Sequence, residues 1–84
     1  MSELQELPNI GKKLDEQLRQ IGVNNIDNLR NIGTKAAFER IKLVDENACI
    51  NKLYAIEGAI KGIRHHQLPA KDKADLKYYF NSLK

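Results

Sequence analysis

Two short stretches carry residue types that could do chemistry: Asn9-Ile10-Gly11-Lys12-Lys13 and Asn31-Ile32-Gly33-Thr34-Lys35. In each, a glycine-containing turn feeds what reads as a helix, with lysine at the helix start. A helix start exposes backbone N–H groups at the positive end of the helix dipole, and a lysine adds a full charge beside them. The chemistry on offer is capture of an anion. A phosphate fits without any base contact, which would give a sequence-independent grip on a sugar–phosphate backbone. Two such turns in tandem could hold both strands of a duplex, so these ten residues form the candidate DNA-contacting set. The competing reading is that each turn merely joins two packed helices. Asn9 stands where such turns usually carry Gly. Its side chain either crowds an approaching phosphate or donates a hydrogen bond to it.

Other chemistry has little support. No Ser/His/Asp or Cys/His arrangement is legible, and no Gly-rich loop of the Walker type is present. No catalytic residue and no cofactor are therefore expected. His65 and His66 are adjacent and would project about 100° apart on a helix, without the i, i+4 spacing of a helical metal pair. Cys49 would lie about 24 Å from His65 along a continuous helix, so the two could not share an ion. No metal site is expected. The histidines read as helix-end residues near the negative dipole end, and Cys49 as a small core residue. Glu57 reads as a half-buried structural carboxylate paired with Lys61 or Arg64.

Apolar periodicity supplies the elements that would position the two turns. Leu4 and Leu7 mark a short first helix capped by Ser2 and ended by Pro8. Leu14, Leu18 and Ile21 mark a second from about Lys12, with Lys13, Asp15, Glu16, Gln17 and Arg19 facing water and Gly22 just past its end. The same pattern then recurs. Leu4, Leu7, Asn9, Ile10, Gly11 and Lys13 match Ile26, Leu29, Asn31, Ile32, Gly33 and Lys35 at an offset of 22 residues. The reading is two helix-hairpin-helix units in tandem, about 2–21 and 24–43, each too short to bury its apolar face alone.

Asp45 would cap the next and longest helix, about 46–65, with an apolar stripe through Cys49, Leu53, Ile56, Ile60 and Ile63. At about 30 Å it would be the central strut. Ala55, Gly58, Ala59 and Gly62 add a small-residue strip on it. Each interior Gly costs about 1 kcal/mol, which implies close approach of another helix, of this chain or of a partner. Gln67-Leu68-Pro69 breaks the chain, and a last helix, about 69–82, points Leu76, Tyr79, Phe80 and Leu83 inward. The expected fold is all-α: one compact five- to six-helix domain with both units packed on the long helix.

Composition sets the outer bounds. The chain has 84 residues, 42% hydrophobic and 30% charged, with one cysteine and a net charge of +3. Residues 1–42 and 43–84 carry +1 and +2, so the positive charge is dispersed rather than massed on one stripe. A lone cysteine excludes an internal disulfide. The N-terminus lacks the basic-then-apolar order of a signal peptide, and no apolar run approaches the roughly 18 residues of a membrane span. The expectations are a cytoplasmic protein with no membrane association, monomeric or a weak homo-oligomer, its partner either the duplex DNA backbone or another protein.

Leu7-Pro-Asn-Ile-Gly-Lys-Lys-Leu14, Leu29-Arg-Asn-Ile-Gly33, Ala48-Cys-Ile-Asn-Lys-Leu-Tyr-Ala-Ile-Glu-Gly-Ala-Ile-Lys-Gly-Ile-Arg64 and Leu68-Pro69 resemble the C-terminal domain of the TfoX/Sxy family of bacterial competence regulators. Leu53–Ile60 is the most specific part, and the resemblance covers nearly the whole chain. It implies a non-enzymatic role near DNA uptake and competence-gene transcription, alongside the cyclic AMP receptor protein. Regulators of the family usually carry an N-terminal domain ahead of this one, so the chain is expected to be a stand-alone copy. No catalytic residue transfers from the family.

Overall fold

In the computed structural model, which describes residues 3–83, the chain forms five α-helices and two 3₁₀ turns, with no strand among the described residues. A 3₁₀ turn at Glu3–Glu6 precedes α1 (Lys12–Gln20), α2 (Ile26–Ile32), α3 (Thr34–Val44) and α4 (Ile50–Lys61). A second 3₁₀ turn, His65–Gln67, then leads into α5 (Ala70–Ser82). The expected cap at Ser2 lies outside the described residues. No helix among them is long and apolar enough to cross a membrane.

Local chemistry sets most helix ends. At the end of α1, Gly22 adopts φ +90°. Its N–H donates to the Arg19 carbonyl, and the N–H of Val23 reaches back to the Leu18 carbonyl at 2.9 Å. This is the glycine-terminated cap in which the residue after the glycine turns inward, and Val23 is buried. Asn25 caps α2 by accepting the Asn28 N–H at 2.8 Å. Pro69 sits immediately ahead of α5, where its missing N–H costs nothing.

α4 is the element on which the others pack. It touches α2, α3, α5 and the His65–Gln67 turn. Leu53 and Ile56 are fully buried on it, against Leu4, Leu18, Leu29, Phe38, Ile41 and Leu76 from the surrounding elements. Its central role matches expectation, but its length does not. It has 12 residues, about 18 Å, because both ends differ from the 46–65 boundaries.

At the C-terminal end, Gly62 is a terminator rather than part of a helical strip. It takes φ +76°, and Ile63 N–H donates to the Gly58 carbonyl at 2.9 Å. His65 and His66 consequently lie in the following 3₁₀ turn and not at the end of α4. At the N-terminal end, Asp45 does not cap α4. One carboxylate oxygen accepts from Gln17 Nε2 at 2.9 Å and Lys52 Nζ at 3.1 Å, while the other accepts the Asn47 N–H at 3.1 Å. The carboxylate thus folds the α3–α4 link and ties it to α1. The link buries Ala48, one residue out of phase with the expected stripe, so Cys49 is exposed and its thiol is free.

α1 departs from expectation on its polar side. Asp15 and Gln17 are buried rather than solvent-facing. The Glu3–Glu6 turn packs on α1, and Gln5 Nε2 from it donates to Asp15 at 2.9 Å; Arg19 pairs with the same carboxylate at 3.1 Å. Each buried polar group is matched by a partner, as burial requires.

The hydrogen bonds from Gln17 and Lys52 hold the Asp45 carboxyl below its ordinary value of 3.8. A depressed folded-state pKa contributes stability that is fully present above the unfolded value and is lost as pH falls through the folded one. In urea titrations between about pH 6 and about pH 2.5, the unfolding midpoint of Asp45→Asn should therefore fall less steeply on the acid side than that of the wild type.

Candidate nucleic-acid interface

The first turn has the left-handed residue that its sequence asks for. Asn9 adopts φ +70°, and it is the only non-glycine residue among those described with positive φ. Ile10, next in the chain, is buried as an apolar plug. Gly11 then precedes α1 in an extended conformation, φ −92° and ψ −175°, and provides no side-chain cap. The first N–H groups of α1 have no partner within the helix, and exposed Lys12 and Lys13 flank them.

The Asn9 side chain does not face outward. Its Nδ2 donates to the Ile63 carbonyl at 2.9 Å and more weakly to the Ala55 carbonyl at 3.4 Å; its Oδ1 accepts the His65 N–H at 3.1 Å. The amide is a latch between the first turn and the end of α4, with nothing left for a phosphate. Gly58 is the complementary half. A Cβ at that position would stand 2.5 Å from Asn9 Nδ2 and 2.7 Å from the Ile63 carbonyl oxygen. The interior glycine of α4 therefore admits the latch and the closing backbone, rather than another helix.

The latch brings Arg64 into an open groove of about 550 Å³ with Glu6, Pro8, Asn9 and Gly11. Sequence reading placed Arg64 on the long helix; Gly62, which ends α4 just ahead of it, is the local signal against that. The contact depends on residues far apart in the chain meeting through Asn9.

The second turn is built differently, despite its sequence echo. Here the left-handed residue is Gly33, φ +86°, while Asn31 lies in the last turn of α2 and Ile32 packs on the core. Thr34 is buried and its Oγ1 donates to Glu57 Oε1 at 2.9 Å. Lys35 pairs with Asp75 at 3.3 Å and lies 5.3 Å from the centre of the Tyr79 ring. Tyr79 Oη donates to the Lys35 carbonyl at 3.2 Å. Burial, followed by the nearby Glu39 carboxylate, pushes the Tyr79 hydroxyl up to about 12. Glu39, Glu57 and Asp75 all line this groove, so α3 begins against the protein's own carboxylates. Glu57 is half-buried as expected, but Thr34 takes its hydrogen bond. Lys61 instead forms its ion pair with Asp72 at 2.9 Å, which, with a smaller contribution from Glu57, raises its pKa.

Of the ten candidate residues, the structure thus leaves Gly11, Lys12 and Lys13 exposed around one helix start. It engages Asn9, Thr34 and Lys35 internally, packs Ile10 and Ile32 on the core, keeps Asn31 within α2, and uses Gly33 as the left-handed link between α2 and α3. The imidazoles of His65 and His66 meet edge to face, 5.8 Å apart. No group of three or more His, Cys, Asp or Glu side chains among the described residues could hold a metal ion.

Residues 1–80 match the model of the TfoX C-terminal domain. The chain belongs to that family. It is 30% identical over 80 residues to Protein Sxy of Escherichia coli K12, covering 95% of this chain and 38% of that protein. The chain thus spans well under half of the length of this relative. Two crystal structures of proteins from Listeria monocytogenes share the family fold. One is of an uncharacterized protein, with TM-score 0.93, 45% identity and coverage of 95% of this chain and 91% of that one. The other, of a protein of unknown function, has TM-score 0.91, 44% identity and coverage of 95% and 99%.

The latch makes coupled predictions for its two halves. Asn9→Ala loses the two stronger hydrogen bonds, at about 1 kcal/mol each, and meets the left-handed penalty of about 1 kcal/mol. It should cost about 3 kcal/mol in urea unfolding, and Asn9→Gly about 1 kcal/mol less. Gly58→Ala should destabilise by about 2 kcal/mol despite its better helix propensity, because the added Cβ overpacks against fixed backbone. The double variant Asn9→Gly/Gly58→Ala should lose less than the two single losses combined, since both break the same contact.

Proposed function

We propose that this domain is a non-enzymatic, DNA-associated module that holds the sugar–phosphate backbone through its first turn, without reading sequence. The observation that carries the reading is the uncapped start of α1. Gly11 places no side chain over it, and Lys12 and Lys13 stand exposed beside it. Membership of the TfoX C-terminal domain family supports a regulatory rather than a catalytic role, and kinship to Sxy supports one connected with competence. The second turn is the weaker partner in this reading, because Thr34 and Lys35 already have Glu57 and Asp75.

A second reading, a protein-interaction adaptor, is favoured by a different observation. Leu43 and Val44, at the end of α3, are 86% and 55% exposed. Leu43 borders an apolar groove with Leu83, flanked by Arg40 and Lys42.

Fluorescence anisotropy with a labelled duplex of about 20 base pairs, titrated across salt, separates the two readings. Phosphate binding predicts affinity that falls steeply with salt and is similar for unrelated sequences. Lys12→Glu/Lys13→Glu should abolish it, while Lys35→Ala should change it much less. If the wild type fails to bind at the lowest salt, DNA association is wrong and the Leu43 face becomes the leading candidate.

A further inference from the structure

We propose that the groove between the C-terminal ends of α3 and α5 docks an acidic amphipathic helix of a partner protein; this deepens the adaptor reading above and rests on it. α3 and α5 meet where the Phe38 and Phe80 rings stand 5.9 Å apart, centre to centre. Further along both helices, Leu43 and Leu83 line an open groove of about 400 Å³ with Glu39, Arg40 and Lys42. Leu83 rests against the core, whereas Leu43 and its neighbour Val44 are largely in water. Two adjacent apolar side chains beside an apolar groove form a strip whose hydration is unfavourable. The strip is not a frayed helix end. The Asp45 N–H closes α3 on the Ile41 carbonyl at 2.8 Å, and the Asp45 carboxylate is tied to Gln17 and Lys52. Ile41, two residues before Leu43, is fully buried.

Charge selects the occupant. Among the described residues that line the groove, there are two cations and one carboxylate. Arg40 is exposed, and no ion pair among the described residues uses it. Lys42 is held over the Phe38 and Phe80 rings, 6.0 and 5.4 Å from their centres, rather than by a carboxylate. Glu39 stands beside the Tyr79 hydroxyl and also lines the groove at the start of α3, so its charge is shared with that side. An apolar strip bordered by fixed cations fits a helix with Leu, Ile or Phe on one face and Asp or Glu along its edges. Groove and cations are in place before binding, which lowers the ordering cost. A basic helix would set like charges against Arg40 and Lys42. A second copy seated on the same strip would bring its own Arg40 and Lys42 to the contact, again like against like.

The test is a selection against the intact chain from displayed random peptides of about 14 residues, roughly four helical turns. The most enriched peptide, labelled with fluorescein, is then the probe in anisotropy titrations. Enriched peptides should carry Leu, Ile or Phe three and four positions apart, with Asp or Glu beside them. Leu43→Asp should weaken the probe about tenfold and Arg40→Glu about fivefold. Both side chains are exposed, so neither change should move the urea midpoint. Affinity should fall as salt rises from about 20 to about 200 mM. Replacing the Asp and Glu of the probe by Asn and Gln should cost about as much as Arg40→Glu. Peptides that Leu43→Asp weakens, but that lack acidic residues or ignore Arg40→Glu, would overturn the acidic partner and leave the adaptor reading standing. Recovery of no peptide that Leu43→Asp weakens would remove both. Sedimentation showing a wild-type dimer that Leu43→Asp dissociates would give the groove to a second copy and overturn the proposal.

Discussion

One side-chain amide joins the first turn of this small domain to the end of α4. Asn9 reaches from the first turn to three backbone groups around the end of α4, and Gly58 exists to let it in. The constraint is tight because it couples two backbone irregularities. Asn9 itself is left-handed, and Gly62 nearby is left-handed to turn the chain toward it. Asparagine suits this position on both counts. It tolerates positive φ better than other side chains, and it can donate and accept at once. Aspartate could not donate to the Ile63 carbonyl, and glycine could not bond at all.

A second polar tie works near the other end of α4. Asp45, Gln17 and Lys52 join the α3–α4 link, α1 and α4 in one hydrogen-bonded set. An 84-residue chain buries only a modest apolar core, so the relative placement of its short helices depends on such pinned contacts as well as on Leu, Ile and Phe. Polar residues that look solvent-facing on a helical wheel, such as Asp15 and Gln17, end up inside because neighbouring segments pack over them and supply partners.

The two turns illustrate how a repeat in sequence need not be a repeat in geometry. Asn-Ile-Gly occurs in both, yet the left-handed residue is the Asn in the first and the Gly in the second. Surroundings decide which. In the first, the Asn amide has a receptor at the end of α4. In the second, α2 continues through the Asn and stops only at Gly33. The electrostatics diverge with the backbone. The first turn keeps exposed lysines beside a helix start with no side-chain cap, whereas in the second Thr34 and Lys35 are engaged by Glu57 and Asp75.

The apolar stripes of Leu14/Leu18, Leu53/Ile56 and Leu76, the terminators Pro8 and Gly22, and the break at Pro69 were all legible in the sequence, because periodicity and backbone-restricted residues act locally. The all-α class follows from the same local rules. What only the tertiary structure decided is which glycine interrupts a helix and which admits a neighbour, where Asp45 spends its hydrogen bonds, and which cations remain unpaired. Gly58 and Gly62 look alike in a helical strip, yet Gly58 stays helical and admits a neighbour, whereas Gly62 turns left-handed and ends the helix. Arg64 and Gly11 share a groove because Asn9 bonds across most of the chain. Such contacts leave no periodic trace, since they depend on positions brought together after the helices have packed.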